Sequence, residues 1–288
     1  PVSGKESQST QVYSMDDLDN YRPFIETVQQ YCEIQSVPAS AAIAEYAPGQ
    51  FEINLAHKND PVGACDDAIF LKRIIKLAAR TQNTMASFMA KPMMDQTGSG
   101  THIHVSICDA KGDNRFARSP DELKHAVGGL QVSMSEGMLL FAPHANSYRR
   151  FQKNAYVPLS PTWGHNNRTV ALRIPAGPEH ARRIEHRVAG ADANPYLVVA
   201  GVLAGILHGY RESSVPDAPI DGDAAVQREA SLPSDWLTAI EEFSGSPWAE
   251  QYLGLEFREL YSTIKRSEYA AFQSHITPLD IQWYLQLV

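Results

Sequence analysis

The chain has 288 residues, of which 43% are hydrophobic and 20% are charged, proportions typical of a globular protein and not of a disordered one. A formal net charge of -8 and the lack of a long basic run argue against nucleic acid as the main partner. The three cysteines lie far apart, which indicates neither a disulfide framework nor a zinc site and favours the cytoplasm. No apolar segment reaches the roughly 18 residues that a membrane span needs, so we expect no membrane association.

The first part of the chain alternates predicted helices with extended segments. Apolar residues at helical spacing predict a helix over 16–32, and a second helix over 66–80 has acidic residues at its start and basic residues at its end. Between the two helices, a Pro-Gly pair predicts a tight turn that would bring Glu45 and Glu52 together. The glycine-rich tripeptide 98–100 then leads into a strand that contains two histidines.

The second part of the chain is richer in helix. A capping box at Ser119 predicts a helix that extends to about Leu140, and arginine-rich strands follow over 150–190. Asn194 is the predicted N-cap of a buried helix, and the C-terminal part, 210–288, is expected to be mostly helical. Strands and helices mix without strict alternation, which favours one α+β domain. Polar residues that recur at every second position motivate the expectation of a curved, mainly antiparallel sheet.

Three short segments carry polar side chains at every second position, and in a strand such side chains share one face. One segment is 45–52. In the second segment, His102, His104 and Ser106 share one face of a predicted strand. In the third segment, Arg183, Glu185 and Arg187 share one face of another. Imidazole, carboxylate and guanidinium groups on one side of a sheet predict a site for metal ions and anions.

Four of the polar residues form a candidate metal set: Glu45, Glu52, His102 and Glu185. Carboxylate oxygens with an occasional imidazole suit Mg²⁺ or Mn²⁺ better than a soft metal. Taken singly, each residue is as readily a surface glutamate or a histidine bonded to backbone. The polar face that the separate segments share is what favours a metal site.

A second set consists of arginines that match carboxylates or phosphates: Arg150, Arg168, Arg173, Arg183 and Arg187. An isolated surface arginine is usually only solvated, but Arg183 and Arg187 flank Glu185 on one predicted face. Arg168 and Arg173 are five positions apart, so a regular strand would direct them to opposite faces. Only a bulge or a bend would direct both into one site.

Eight ordered motifs make the chain, from near residue 10 to its C-terminus, resemble the catalytic domain of the glutamine synthetase superfamily. They are Glu45-Tyr-Ala-Pro-Gly-Gln-Phe-Glu52, Lys91-Pro92, Gly98-Ser-Gly-Thr-His102-Ile-His104-Val-Ser106, Asn146-Ser-Tyr-Arg-Arg150, Asn167-Arg168, Arg173-Ile-Pro175, Arg183-Ile-Glu185-His-Arg187 and Ala193-Asn-Pro-Tyr196. The resemblance implies ligation of the γ-carboxylate of glutamate to an amine, with ATP as a substrate and γ-glutamyl phosphate as the intermediate.

The resemblance also implies a role for each residue of the two sets. Two or more divalent ions, Mg²⁺ or Mn²⁺, would be held by Glu45 and Glu52 and by His102 and Glu185. Arg150 and Arg187 would bind the carboxylates of glutamate, with Gly98 near the amino-acid site, and Arg168 would stabilise the transferring phosphoryl group. The implied ATP-binding residues are His104, Ser106, Arg173 and Arg183.

Two positions depart from the pattern of the ammonia-using members. Tyr156 stands where those members carry a glutamate that binds ammonium, and Thr97 stands where they commonly have asparagine. A neutral aromatic side chain lacks the charge that holds ammonium, but it lines a pocket for an alkylamine. The chain is therefore similar to gamma-glutamylpolyamine synthetases, which implies an acceptor such as putrescine. An ordinary glutamine synthetase with a divergent flap is the alternative.

The family pattern has an N-terminal β-grasp domain and a strand with two further metal-binding glutamates, and we do not find either in this sequence. We therefore expect a fragment or a truncated homologue that is inactive alone. The resemblance implies a homo-oligomer, a dodecamer of two hexameric rings, with active sites between subunits. A non-catalytic assembly or binding relative is a further alternative, but four ligand groups that are costly to bury argue against it.

Overall fold

The structure is a computed structural model that describes residues 12–153 and 155–286. The helices, in chain order, are α1 Met15–Asn20, α2 Arg22–Ile34, α3 Pro61–Thr81, α4 Arg115–Arg118, α5 Pro120–Ser133, α6 Met138–Phe141, α7 Pro195–Glu212, α8 Ala224–Gln227, α9 Trp236–Ser244, α10 Pro247–Leu253, α11 Leu255–Gln273 and α12 Pro278–Tyr284. The strands are β1 Ala39–Ala44, β2 Phe51–Leu55, β3 Ile103–Val105, β4 Trp163–His165, β5 Leu172–Ile174 and β6 Ile184–His186. Short 3-10 helices span Ser147–Arg150 and Glu179–Ala181.

The predicted first helix is two helices, α1 and α2, which meet at Tyr21. Pro23 lies in the first turn of α2, where a residue without a backbone N–H is tolerated, so the chain starts a new helix there. Val28 and Cys32 form the buried face of α2, as their spacing predicts, and they pack in a small core that includes Ile74 of α3. The predicted second helix is confirmed as α3.

A four-stranded sheet lies at the centre of the chain, in the order β3-β6-β5-β4. The pairs β3–β6 and β6–β5 are antiparallel and β5–β4 is parallel, so the prediction of a mainly antiparallel sheet is confirmed with one exception. The histidine strand is shorter than predicted and covers only Ile103–Val105. In the register of the sheet, His104 and Arg173 both lie opposite Glu185, so the three side chains share one face.

The main core packs α5 against α7 behind the sheet. Ser119 caps α5 as predicted, because its side chain accepts a hydrogen bond from the Glu122 N–H at 3.4 Å. The helix ends at Ser133 and not near Leu140, since the chain turns there to bury all four residues of α6. The two long helices touch backbone to backbone: a Cβ at Gly129 would overlap the carbonyl oxygen of Gly205.

The helix α7 starts where the sequence predicts. The Asn194 side chain accepts a hydrogen bond from the Tyr196 N–H at 3.0 Å, and Pro195 is the first helical residue. Helices α9 to α12 make up most of the described chain beyond residue 235, whereas between residues 213 and 235 the structure has only the four residues of α8 in a helix. Across residues 12–153 and 155–286, no helix is both long enough and apolar enough to cross a membrane.

Candidate active site

Glu185, on the central strand β6, is the charged centre of the site. It is 2% exposed, and its two carboxylate oxygens are shared by Arg173, whose Nη1 lies 2.9 Å away, and by Arg187. His102 Nδ1 lies 3.3 Å from the same carboxylate. Burial alone would raise the pKa of Glu185, but the contact with His102 and the charge of Arg187 outweigh burial and hold the pKa well below its ordinary value. The carboxylate is therefore ionised at neutral pH.

The β1–β2 hairpin carries the other two acidic candidates. The predicted turn is confirmed, because the Glu45 N–H donates to the Gln50 carbonyl at 2.8 Å and the two strands are antiparallel. Burial raises the pKa of Glu45, and the nearby charge of Glu52 raises it further, while Arg168 and Arg187 oppose the shift. The Glu45 carboxylate therefore lies within electrostatic reach of Glu52, on the other arm of the hairpin, and of Arg168 and Arg187, which lie just outside β5 and β6.

Arg150 and Gly98 pack directly on each other. Arg150 is 4% exposed; its Nη1 donates to the Val188 carbonyl at 3.1 Å, and its Nε has no partner among the residues that the structure describes. Burial lowers its pKa to about 10, so the group still carries a charge at neutral pH. A Cβ at Gly98 would lie 2.7 Å from both the Arg150 Cγ and the Ala90 carbonyl oxygen, so this approach requires glycine.

Gln50 ties the hairpin to the glycine-rich segment, a role that the sequence did not suggest. Its Nε2 donates to the Gly98 carbonyl at 3.0 Å and to Ser99 Oγ at 3.2 Å. Its Oε1 accepts a hydrogen bond from Thr97 Oγ1 at 2.9 Å. The only signal in the sequence is an amide placed between two candidate metal ligands, and nothing local in the chain shows what that amide contacts.

The chain bends at residues 168–171, between Arg168 and the strand that carries Arg173, and it turns sharply just before Arg168. Asn166 has φ 48°, in the left-handed region that asparagine tolerates, and its side-chain oxygen accepts a hydrogen bond from Arg173 Nη2 at 2.7 Å. Arg173 lies in β5, whereas Arg168 lies in the loop before it and donates to Tyr13 Oη at 2.9 Å. That hydrogen bond raises the pKa of Arg168, and the negative charges of Glu185 and Glu45 raise it further.

Of the four residues that the resemblance assigns to ATP, His104, Ser106 and Arg183 lie at or beside the edge strand β3, whereas Arg173 lies on the inner strand β5. Arg183 Nε donates to His104 Nδ1 at 3.0 Å, which makes that nitrogen the acceptor of a neutral imidazole. Arg183 itself precedes β6 and does not lie within a strand, contrary to the prediction. Ser106 follows β3 and is half-buried, and its hydroxyl makes no hydrogen bond within the residues that the structure describes.

Tyr156 lies beside the arginines, on the rim of a cavity of about 490 Å³ that Arg168 also lines. It has φ 51° and is 58% exposed, and its ring stacks on Tyr46 with centroids 5.9 Å apart and planes at 27°. Tyr46 is the residue next to Glu45. The aromatic pair therefore connects the hairpin to the cavity, a contact that the sequence did not predict.

The chemistry of the donor set fits divalent ions bound in part by substrate. In the described part of the chain no three histidine, cysteine or acidic side chains are grouped to hold one ion. The candidates come as two pairs, and Mg²⁺ is commonly bound by one or two carboxylates together with phosphate oxygens and water. Paired ligands beside a set of arginines therefore suit an ion that arrives with a nucleotide.

Comparison with known proteins shows the family of the chain. The family described as "Glutamine synthetase, catalytic domain" matches residues 2–284. The chain belongs to this family. Its members use ATP and divalent metal ions generally.

Among curated relatives, the chain is 42% identical over 290 residues to the gamma-glutamylputrescine synthetase PuuA of Escherichia coli (strain K12), covering 99% of this chain and 61% of the relative. It is 33% identical to the gamma-glutamylethanolamide synthetase GlnA4 of Streptomyces coelicolor, covering 94% of this chain and 58% of the relative. The solved structure titled "Apo GmaS without ligand" superposes with a TM-score of 0.88 at 29% identity, covering 99% of this chain and 68% of that one. The chain thus spans about three fifths of these curated relatives.

Proposed function

We propose that the protein is a glutamate–amine ligase that joins the γ-carboxylate of glutamate to an alkylamine, with putrescine or another polyamine as acceptor. The observation that carries this proposal is Tyr156, an uncharged aromatic side chain in the same cavity as Arg168. The names of the two curated relatives, which make γ-glutamyl derivatives of putrescine and of ethanolamine, support an organic amine in preference to ammonia.

The proposed reaction has two steps. An oxygen of the γ-carboxylate attacks the γ-phosphorus of ATP, the bond from that phosphorus to the bridging oxygen breaks, and ADP leaves. The amine, after losing the proton of its ammonium form, attacks the acyl carbon of γ-glutamyl phosphate. Phosphate leaves with the C–O bonding pair, and the nitrogen releases a second proton to give the amide.

The residues of this chain act by positioning charge. Arg150 and Arg187 bind the carboxylates of glutamate, because buried guanidinium groups with free N–H donors favour an anionic partner. Arg168 stabilises charge on the transferring phosphoryl group, as an arginine does in phosphoryl transfer generally. ATP is bound by His104, Ser106 and Arg183 at the β3 edge of the sheet and by Arg173 on the inner strand β5.

The acidic residues would hold the metal ions that the family uses. Glu45 and Glu52 form one pair, and His102 and Glu185 form the other. Mg²⁺ or Mn²⁺ bound there would neutralise phosphate oxygens and orient the γ-phosphate. The ionised state of Glu185, held by its low pKa, suits it to such a role.

Self-association is part of the proposal. The last helix, α12, and its flanks expose a series of large apolar side chains: Ile276, Leu279, Ile281, Trp283, Tyr284 and Leu285. An exposed apolar series of this kind marks a surface for another protein. We propose that it packs against a second copy of the chain in a homo-oligomer.

The test compares acceptors with the complete gene product. Phosphate release from ATP and glutamate is measured with putrescine, spermidine, ethanolamine and ammonia, and each amide is identified by mass spectrometry. We expect putrescine or spermidine to give the highest kcat/KM and Tyr156→Glu to shift preference toward ammonia. Ammonia as clearly the best acceptor would instead favour a glutamine synthetase, and no turnover with any amine would favour a non-catalytic relative.

A further inference from the structure

The lining of the cavity beside Tyr156 combines three kinds of side chain. Tyr156, Val157 and Leu159 make up an aromatic and aliphatic wall, Asp221 and Asp223 make up an acidic wall, and Arg168 lines the same cavity. We propose that this cavity is the acceptor site and that Asp221 and Asp223 bind the distal ammonium group of a diamine. This inference rests on the proposed ligase function and names the feature that would select a diamine over a monoamine.

The acidic wall is held rigidly to the segment that carries Arg168. Asn167 Nδ2 donates to the carbonyls of Ile220 at 3.2 Å and Gly222 at 2.7 Å. Thr169 Oγ1 in turn accepts a hydrogen bond from the Ala224 N–H at 3.0 Å. These bonds fix the spacing between the Arg168 segment and the acidic wall, because they join the residues on either side of Arg168 to the residues between and beside the two aspartates.

The charged groups that line the cavity favour one orientation of a bound diamine. Both amino groups of a free diamine are protonated near neutral pH, since an alkylamine resembles lysine, with a pKa of about 10.4. Asp221 bonds Gln227 only through its backbone oxygen, and within the described residues its carboxylate has no partner. One carboxylate oxygen of Asp223 accepts a hydrogen bond from the Ala225 N–H at 2.9 Å. Within the described residues its other carboxylate oxygen accepts none. A distal ammonium is therefore attracted to the aspartates and repelled by Arg168.

The remaining wall suits the carbon chain that joins the two amino groups. Val157 and Leu159 offer aliphatic surface, and the ring of Tyr156 offers a flat face that packs on methylene groups and attracts cations. A monoamine of equal length would use this wall but not the aspartates. The cavity therefore predicts a preference that depends on the second charge and not on chain length.

The test uses 1,4-diaminobutane and butylamine, which share a four-carbon chain, with the complete gene product and its Asp221→Asn and Asp221→Asn/Asp223→Asn variants. Asparagine at 223 keeps the oxygen that caps α8. We expect the ratio of kcat/KM for the diamine over butylamine to fall at least about tenfold in the double variant, which corresponds to about 1.4 kcal/mol. The matched control is Asp217→Asn, which removes the same charge from the same loop outside the cavity.

Calorimetric binding of both amines supplies a second readout that does not need turnover. Weaker diamine binding in the aspartate variants, with butylamine binding unchanged, supports the inference even if no amine is ligated, and in that case the proposed function alone fails. Equal loss for both amines, or an equal effect of Asp217→Asn, overturns the inference while leaving the ligase activity in place. An unchanged ratio in a double variant that still ligates butylamine also overturns it.

Discussion

The carboxylate of Glu185 contacts the guanidinium groups of Arg173 and Arg187 and the imidazole of His102. The side chains of Arg173 and Arg187 are only 17% and 8% exposed, so each relies on Glu185 to balance a charge that is largely removed from water. A buried charge that loses its partner is costly, because neither solvent nor another group compensates it. Glu185 therefore matters to the fold as well as to the proposed chemistry.

We predict that Glu185→Gln lowers the free energy of unfolding by about 3–5 kcal/mol, the usual cost of removing one partner of a buried ion pair. Urea denaturation at pH 7 measures this change. The matched control is Glu179→Gln, since Glu179 pairs with Arg182 at 3.3 Å but has an 81% exposed side chain. The control is expected to lose less than about 1 kcal/mol. Equal losses in the two variants would contradict the importance of burial at Glu185.

The same substitution has a predictable pH dependence. The pKa of Glu185 is lower in the folded chain than in the unfolded chain, where it is about 4.3. Its contribution to stability is therefore complete above that value and is lost as the pH falls toward the folded-state pKa. We expect the stability difference between the wild type and Glu185→Gln to shrink below about pH 4, in urea denaturation repeated over a pH series.

At the scale of elements, the β1–β2 hairpin and the glycine-rich segment behave as one unit because Gln50 joins them. The hairpin brings the acidic pair, and the segment brings Gly98 against Arg150. A displacement of either element would change the distance between the proposed metal ligands and the proposed glutamate site.

We predict that Gln50→Glu raises KM for glutamate about tenfold or more and lowers kcat by a smaller factor. The carboxylate keeps the acceptor for Thr97 but loses both donors and faces the Gly98 carbonyl, and hydrogen bonds are worth about 0.5–1.5 kcal/mol each. Steady-state kinetics with the complete gene product measures the two constants. Gln35→Glu, on the exposed end of α2, is the control for added charge, and an identical effect there would refute the positioning role.

The sequence predicted the elements whose signals are local and missed those that depend on distant contacts. The turn between Glu45 and Glu52, the cap at Ser119 and the cap at Asn194 each follow from a few adjacent residues, and the structure confirms them. Polar alternation likewise predicted that His102 and Glu185 would meet.

The contacts that escaped prediction join residues far apart in the chain. Gln50 bonds Thr97, Gly98 and Ser99 across 47 to 49 positions, and Tyr46 stacks on Tyr156. Periodicity and turn chemistry carry no information about such pairs, which depend on how the elements pack. The roles of the individual residues in binding metal, ATP and substrates stay predictions until they are measured.

At the scale of the whole molecule, the C-terminal helix α12 is the clearest sign of a partner. Ile281 and Trp283 are each about half exposed, in a chain that otherwise buries a large apolar core. Burying apolar surface in a contact stabilises that contact by about 25 cal/mol for each Å² removed from water. A second copy of the chain would supply that cover if the protein forms a homo-oligomer.

We predict that Ile281→Ser/Trp283→Ser lowers the oligomeric mass of the complete gene product, because the variant loses apolar surface at the proposed contact. Size-exclusion chromatography with light scattering measures the mass. The control is Gln282→Ser, a change between the same two residues that removes no apolar side chain. A mass that stays the same in the double variant would mean that α12 is covered by something other than the contact between copies.

The glycine contact between α5 and α7 limits how this scaffold adapts to a new acceptor. A Cβ at Gly129 or at Gly209 would overlap backbone atoms of the facing helix, so a larger residue at either position would force the two helices apart. The loops that line the cavity, around Tyr156 and Asp221, lie outside both helices, and neither helix contributes a residue to that lining. Relatives that use amines of different size and charge should therefore differ in these loops while keeping glycine at the helix crossing. Loop exchange, and not core redesign, is the route to a changed acceptor.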